Sequence, residues 1–323
     1  MRAMQAESFT GYRGLKLAEV PGPTLAPGRV LVRITAAGVS PLDHTILSGG
    51  QPRVTAPLIL GNEGAGVVED PGDSSFSVGA RVMFCGPYGV SEDGTYAEWI
   101  AARAEDLSPI PEAIDDATAG GLPVAYLTAQ ITLTQAGFVP GKTVLAPAIG
   151  GAVGNAATQL ARAQGAAKAI STTTSSLKAK QARALGFEDV IDLSAESLVD
   201  GVARLTRGRG VDIVIESVGG ALTGEALSTV ALNGVLTSIG YSAGRKTTID
   251  VTDLIWRRAS MSGFSLFAQL PAVKAAAWAS ILSLLTARKV EPIVERAYKL
   301  DEAAEALRHL IEDRPLGRVV LVP

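Results

Sequence analysis

The 323-residue chain holds one cysteine and two histidines. Cys85 on its own forms no intramolecular disulfide and founds no cysteine-rich zinc cluster. His44 and His309 have no metal-ligand spacing. Basic residues are not in excess: 29 Lys and Arg stand against 32 Asp and Glu, a formal charge of −3. With a pI near 5.6, this excludes the basic footprint of a nucleic-acid binder. No uninterrupted apolar run is long enough to span a bilayer; the longest candidates, around residues 275–285, carry polar residues. The opening MRAMQAESF lacks the apolar core of a signal peptide. Internal repeats, low-complexity runs and linker-like stretches are also lacking. The expectation is a cytoplasmic protein with neither a membrane nor a nucleic acid as partner.

What is present is a soluble globular composition, 47% hydrophobic and 19% charged, with length for two domains. Residues 143–165, TVLAPAIGGAVGNAATQLARAQG, are the organising stretch. A short apolar run, Thr143-Val144-Leu145-Ala146, suits a buried parallel strand. A turn of small residues follows, with Ala148, Gly150, Gly151, Ala152, Val153 and Gly154. Then Val153, Ala157, Leu160 and Ala161 recur at helical period. Strand, glycine turn and helix form the layout of a dinucleotide site, where backbone approaches a pyrophosphate at a helix N-terminus. The spacing Ala148-x-x-Gly151-x-x-Gly154 is not GxGxxG, so an ordinary tight turn explains the glycines equally well.

Residues 1–120 read as short strands broken by Pro and Gly, including 29–35, 64–69, 78–84 and 94–100. That pattern argues for a small barrel. From residue 115 to about 264, strands and helices alternate: strands at 143–146, 167–171, 189–193, 211–217 and 234–239, helices at 117–136, 177–185, 198–205 and 222–230. Such alternation implies a parallel sheet with right-handed crossovers. Residues 272–287 and 300–311 read as helices and 317–322 as a last strand.

These stretches, in this order, resemble the medium-chain dehydrogenase/reductase superfamily, and within it the zinc-free quinone oxidoreductase (zeta-crystallin-like) branch. The resemblance rests on GVSPLD at 38–43, LGNEGAGVVE at 60–69, VGARV at 78–82, GTYAEW at 94–99, LTA at 127–129, the glycine turn, GVDIVIESVGG at 210–220 and GRVVL at 317–321. It implies an α/β protein: a GroES-like β-barrel catalytic domain at 1–120, completed by 267–323, and a Rossmann doubly wound parallel-sheet domain at 121–266 that binds NADPH. It also implies a homodimer, with the strand around 259–264 as the pairing edge.

Zinc-dependent members carry a Cys near the start of the GVSPLD-like stretch and a His in the LGNEG-like stretch. Here those positions are Ser40 and Asn62. A hydroxyl and an amide are poor zinc ligands, so no metal is expected. The chemistry left is hydride transfer from NADPH to an already activated acceptor, a quinone or an α,β-unsaturated carbonyl. Ser40, Asn62 and Tyr126 are the neutral candidates for the developing oxygen; turn chemistry explains Ser40 and Asn62 equally well. Asp43 is expected to order the loop. An enoyl-thioester reductase is a second reading, weakened because residues 45–57 hold no Tyr to act as acid. A non-catalytic NADPH-binding protein, crystallin-like or RNA-binding-like, is a third.

No Asp or Glu lies between Gly154 and Glu188. Where NAD sites place an acid, this chain runs through Thr172, Thr174, Ser175 and Lys178, which suit a 2′-phosphate. A hydroxyl-rich helix cap is the plainer explanation of the same residues. The resemblance also assigns Thr128, Ser217, Gly219, Gly240, Tyr241, Ser242, Phe264, Ser265 and Leu266 to cofactor binding. Leu193 departs from the Tyr that many relatives carry near the end of the third strand.

Overall fold

The computed structural model describes residues Met1–Pro323. The chain divides into two compact units, Met1–Val124 with Pro292–Pro323, and Ala125–Glu291. The first boundary lies near the expected residue 120. The second is corrected from 267 to 292. Residues 267–291 stay with the second unit because hydrogen bonds tie them there: the Glu291 backbone exchanges two with the Gln159 side chain (2.7 and 2.9 Å), and the Gln135 side chain donates to that of Gln269 at 2.8 Å.

The first unit carries two mostly antiparallel sheets. One orders Leu15–Glu19, Arg2–Ala6 and Leu58–Ile59. The other orders Val294–Lys299, Arg318–Val322, Arg29–Gly38, Glu63–Asp70, Arg81–Cys85 and Leu107–Pro109, with Trp99–Arg103 also pairing Arg29–Gly38. Alternating inward residues, among them Val30, Val32 and Ile34, fill its core with Phe84, Tyr88, Tyr96 and Leu321. The strand expected at 94–100 starts later, at Trp99. Thr95 and Tyr96 are buried, and the Thr95 hydroxyl donates to the Glu63 carbonyl.

The second unit holds a six-stranded parallel sheet in the spatial order Val190–Asp192, Lys168–Thr173, Thr143–Leu145, Val211–Glu216, Val230–Ser238, Ser260–Gly263. Numbered along the chain within this unit, that order is 3-2-1-4-5-6, the doubly wound arrangement whose strand order reverses beside the first strand. Helix Ala152–Ala163 buries Ala156, Ala157, Leu160 and Ala161. The three alanines let the helix lie close to the sheet. Leu145, Ile170, Ile191, Val214 and Leu236 pack in the core.

Two helices escape the periodicity argument. Pro41–Leu47 and Val251–Arg257 are seven residues each, too short to show a period. The helix expected at 222–230 ends at Leu227, and Val230 already begins a strand. The last helix, Ala303–Arg308, is followed by a π-turn at His309–Asp313. His309 does not face solvent as a helix surface would. Its ring nitrogens meet Asp313 at 2.7 Å and Glu295 at 2.8 Å. Burial opposes its charge, but the two carboxylates outweigh that and raise its pKa.

Candidate active site

In the first unit, Ser40 precedes helix Pro41–Leu47, with Pro41 at the first helical position. The Ser40 N–H and its Oγ both donate to Asp43 Oδ2 at 2.8 Å. Tyr96 Oη donates to the same oxygen at 3.0 Å, and the Gly61 N–H donates to Asp43 Oδ1 at 3.1 Å. One buried carboxylate therefore joins the helix start to the turn that presents Asn62. Burial raises the Asp43 pKa, and the Ser40, Tyr96 and Gly61 donors pull it back only in part. This corrects Ser40 as a donor to substrate: its hydroxyl proton is committed to Asp43, and only an acceptor lone pair remains.

Asn62 is 3% exposed. Its backbone carbonyl accepts from the Gly86 N–H at 3.1 Å, while its side-chain oxygen is buried without a hydrogen-bond partner. A buried polar atom that the fold does not use is uncommon and calls for an explanation. Next to it, Glu63 is fully buried. It pairs with Arg318 and accepts the Val124 N–H at 2.7 Å. Sequence reading missed this pair. The available signal was a carboxylate at the head of the small and apolar run Gly64–Val68, but its cation lies 255 residues away.

In the second unit, Tyr126 lies on helix Pro123–Gln135, 4% exposed, with its hydroxyl unpartnered. Burial pushes its pKa up, so it stays a neutral phenol. Thr128 is buried on the same helix and its carbonyl accepts the Thr132 hydroxyl at 2.6 Å.

The turn after strand Thr143–Leu145 is held from below by Thr172. Thr172 Oγ1 accepts the Ala148 N–H at 3.1 Å and its carbonyl accepts the Ile149 N–H at 2.8 Å. Thr172 is buried and positions this turn. Ala148 adopts φ 65°, a left-handed conformation that non-glycine residues enter only under constraint. Gly150, Ala152 and Val153 are half-buried and Gly151 is exposed. Gly154 has a hard reason to be glycine: a Cβ there would lie 2.1 Å from the Pro147 carbonyl oxygen and 2.4 Å from that of Ala148. No acidic residue occupies the first turn of helix Ala152–Ala163 or of helix Ser176–Ala184. At the latter, Thr174 is exposed, Ser175 is the N-cap and accepts the Lys178 N–H at 3.4 Å, and Lys178 is half-buried. Leu193 packs against the core and its N–H bonds the Thr173 carbonyl at 2.8 Å.

Past strand Val211–Glu216, the buried Glu216 carboxylate accepts the Val218 N–H (2.7 Å), the Gly219 N–H (2.9 Å) and the Thr223 hydroxyl (2.8 Å). A Cβ on Gly219 would sit 2.5 Å from the Gly244 oxygen, and one on Gly240 would sit 2.3 Å from the Ser217 oxygen. These glycines let the two loops lock together, a need of the loops themselves. Ser242 Oγ donates to the Val218 carbonyl at 3.3 Å, and the Arg245 guanidinium lies 5.3 Å above the Tyr241 ring. The Phe264 N–H donates to the Ser238 carbonyl at 3.0 Å, which sets Phe264, Ser265 and Leu266 beyond the same sheet end; only Leu266 is buried. The structure brings together no group of three or more His, Cys, Asp or Glu side chains that could hold a metal ion.

Residues 26–112 match the family model of an alcohol dehydrogenase GroES-like domain, and residues 152–285 match that of a zinc-binding dehydrogenase. The chain is similar to a quinone oxidoreductase of Pseudomonas aeruginosa, 32% identical over 97% of this chain and 95% of that one. It is also similar to a 2-haloacrylate reductase of a Burkholderia species, 31% identical over 94% of each. Among solved structures, the mycobacterial protein Rv1454c complexed with NADPH aligns with a TM-score of 0.89 at 29% identity, covering 100% of both chains.

Proposed function

As the chain belongs to the medium-chain dehydrogenase/reductase superfamily, in its quinone oxidoreductase branch, we propose that it reduces quinones and α,β-unsaturated carbonyls with NADPH and without a metal. Asn62 carries this reading. It stands where zinc-dependent relatives carry a His, and its buried side chain has an acceptor oxygen that the fold leaves unpaired. The Nδ2–H donors of that amide suit a substrate oxygen on which charge develops, while the unpaired oxygen takes only a donor such as a hydroxyl. The neighbouring network of Asp43, Ser40, Tyr96 and Gly61 holds the Asn62 turn in place. The conjugated acceptor named for the Burkholderia relative supports the class of substrate.

The residues of the second unit fit the dinucleotide. Two helix N-termini without acidic side chains offer N–H groups that have no intrahelical acceptor, and Lys178 adds a cation beside Ser175. When bound, NADPH supplies the hydride. The chain's own work is to seat the pyrophosphate at 150–154, to take the 2′-phosphate at Thr174, Ser175 and Lys178, and to exclude water from the acceptor. Tyr126, kept neutral, is a second donor available to the reaction.

The test is NADPH oxidation with 1,4-benzoquinone, 9,10-phenanthrenequinone and a simple enone. Turnover of at least one is expected, with Asn62→Ala lowering kcat by about 100-fold at unchanged NADPH affinity. NADPH binding without turnover of any acceptor would sink the catalytic reading in favour of a non-catalytic binder.

A homodimer belongs to the same proposal. Every residue of edge strand Ser260–Gly263 is exposed, and the strand pairs on one side only. The helix leading into it exposes Ile255 at 62% and Trp256 at 79%. An unpaired edge flanked by apolar side chains is what a second copy covers. Light scattering should give twice the 33.3 kDa chain mass, and Trp256→Glu should return it to a monomer. A wild-type monomer rules the dimer out.

A further inference from the structure

The second strand's end is free of acid in sequence but not in space. Strand Lys168–Thr173 runs parallel to Val190–Asp192, with Thr173 in register with Asp192. The Asp192 carboxylate accepts Ser176 Oγ at 2.5 Å, Ser194 Oγ at 2.6 Å and the Ser194 N–H at 3.0 Å. Ser176 is the first residue of helix Ser176–Ala184, directly after the N-cap Ser175. A carboxylate is thus one hydroxyl away from the loop read above as the 2′-phosphate seat. The Ser176 and Ser194 hydrogen bonds hold Asp192 below the usual carboxylate range, so it is an anion at neutral pH.

Two consequences follow for a bound adenosine ribose. A 2′-phosphate at Thr174, Ser175 and Lys178 meets a like charge, and the adjacent Ser176 hydroxyl proton is already committed to Asp192. A plain 2′-hydroxyl carries no charge and escapes that repulsion; at NAD sites the repelling acid ends the second strand. Here the acid comes from the neighbouring strand.

We propose that Asp192 is a specificity-determining residue of the cofactor site, which narrows the preference for the 2′-phosphate so that the enzyme accepts NADH alongside NADPH. The proposal rests on the phosphate reading of Thr174, Ser175 and Lys178. Asp192 acts through its charge and through Ser176, so it is a positioning residue. The departure at Leu193 has the same sense, since an apolar core residue there gives the phosphate nothing.

Calorimetric binding of 2′,5′-ADP and 5′-AMP to the full chain tests this. The wild type should favour 2′,5′-ADP by no more than about tenfold. Asp192→Asn should tighten 2′,5′-ADP about tenfold and move 5′-AMP by less than about threefold. The gain should shrink in 0.5 M salt, a response that a merely structural change would not show. A wild-type preference above about a hundredfold, or equal shifts of both probes in Asp192→Asn, overturns the proposal. Lys178→Glu separates it from the reading beneath. Selective weakening of 2′,5′-ADP by Lys178→Glu, with an unselective Asp192→Asn, removes the role of Asp192 alone. Equal effects of Lys178→Glu on both probes overturn the phosphate reading and the proposal with it.

Discussion

Replacing Arg318 by Met is expected to destabilise the first unit by about 3–5 kcal/mol, the usual consequence of stranding one partner of a buried ion pair. Glu63 is 0% exposed and Arg318 8%. The carboxylate has one other donor, the Val124 N–H, and that bond leaves its charge uncompensated. A neutral Glu63 removes most of the penalty, so Glu63→Gln/Arg318→Met should recover much of the lost stability. The effect should also depend on pH. Burial raises the Glu63 pKa, against the lowering pull of Arg318. Without Arg318 it rises further. An acid with a raised pKa keeps its proton in the native state at a pH where the unfolded chain has released it. Its contribution to stability is therefore lost as pH rises from the ordinary glutamate range through the native value. The penalty of Arg318→Met should be small near pH 5 and full at pH 8. Urea unfolding followed through Trp99, the one tryptophan of the first unit, reports it in a Trp256→Phe/Trp278→Phe background. A penalty below about 1 kcal/mol, or one that does not change with pH, is incompatible with a buried charge at Glu63.

Gly154→Ala is expected to raise the Kd for NADPH on the order of 100-fold and to cost about 1–3 kcal/mol of stability. The added methyl would meet two backbone oxygens, at 2.1 and 2.4 Å, in a turn already pinned by Thr172. Backbone has no rotamer to change, so helix Ala152–Ala163 must lift away from the turn. Its first N–H groups move with it. Gly151→Ala is the control. Its Cβ would meet the Ala148 oxygen at 3.3 Å, a contact that a small adjustment relieves, and this variant should stay within about 1 kcal/mol of wild type. Thermal unfolding and NADPH fluorescence titration measure both quantities. Should Gly154→Ala bind NADPH as wild type does, the turn at 148–154 is not the pyrophosphate seat.

How far each feature could be foreseen follows from the distance over which its cause acts. The doubly wound sheet was legible because each strand and helix announces itself within about ten residues, through apolar runs, helical period and glycine turns. The replacements Ser40 and Asn62 were legible because a donor set is a matter of residue type. The short helices Pro41–Leu47 and Val251–Arg257 were not read from the sequence. The return of residues 267–291 to the second unit was hidden because Gln159 and Glu291 are 132 residues apart.

By itself, then, the sequence determined the family, the order of elements, the glycine turn and the residue types available to the chemistry, all properties carried by single residues or short windows. Only the tertiary structure decided what those side chains are bonded to. It committed the Ser40 proton to Asp43, put Thr172 beneath the glycine turn, closed Glu63 onto Arg318, and left Asn62 with an unused oxygen. It also set Asp192 beside a strand end that reads as acid-free. The physical reason is that a hydrogen bond or an ion pair is settled by geometry in space, which residue type does not fix, and strand pairing sets Thr172, Arg318 and Asp192 beside partners that the chain keeps far apart.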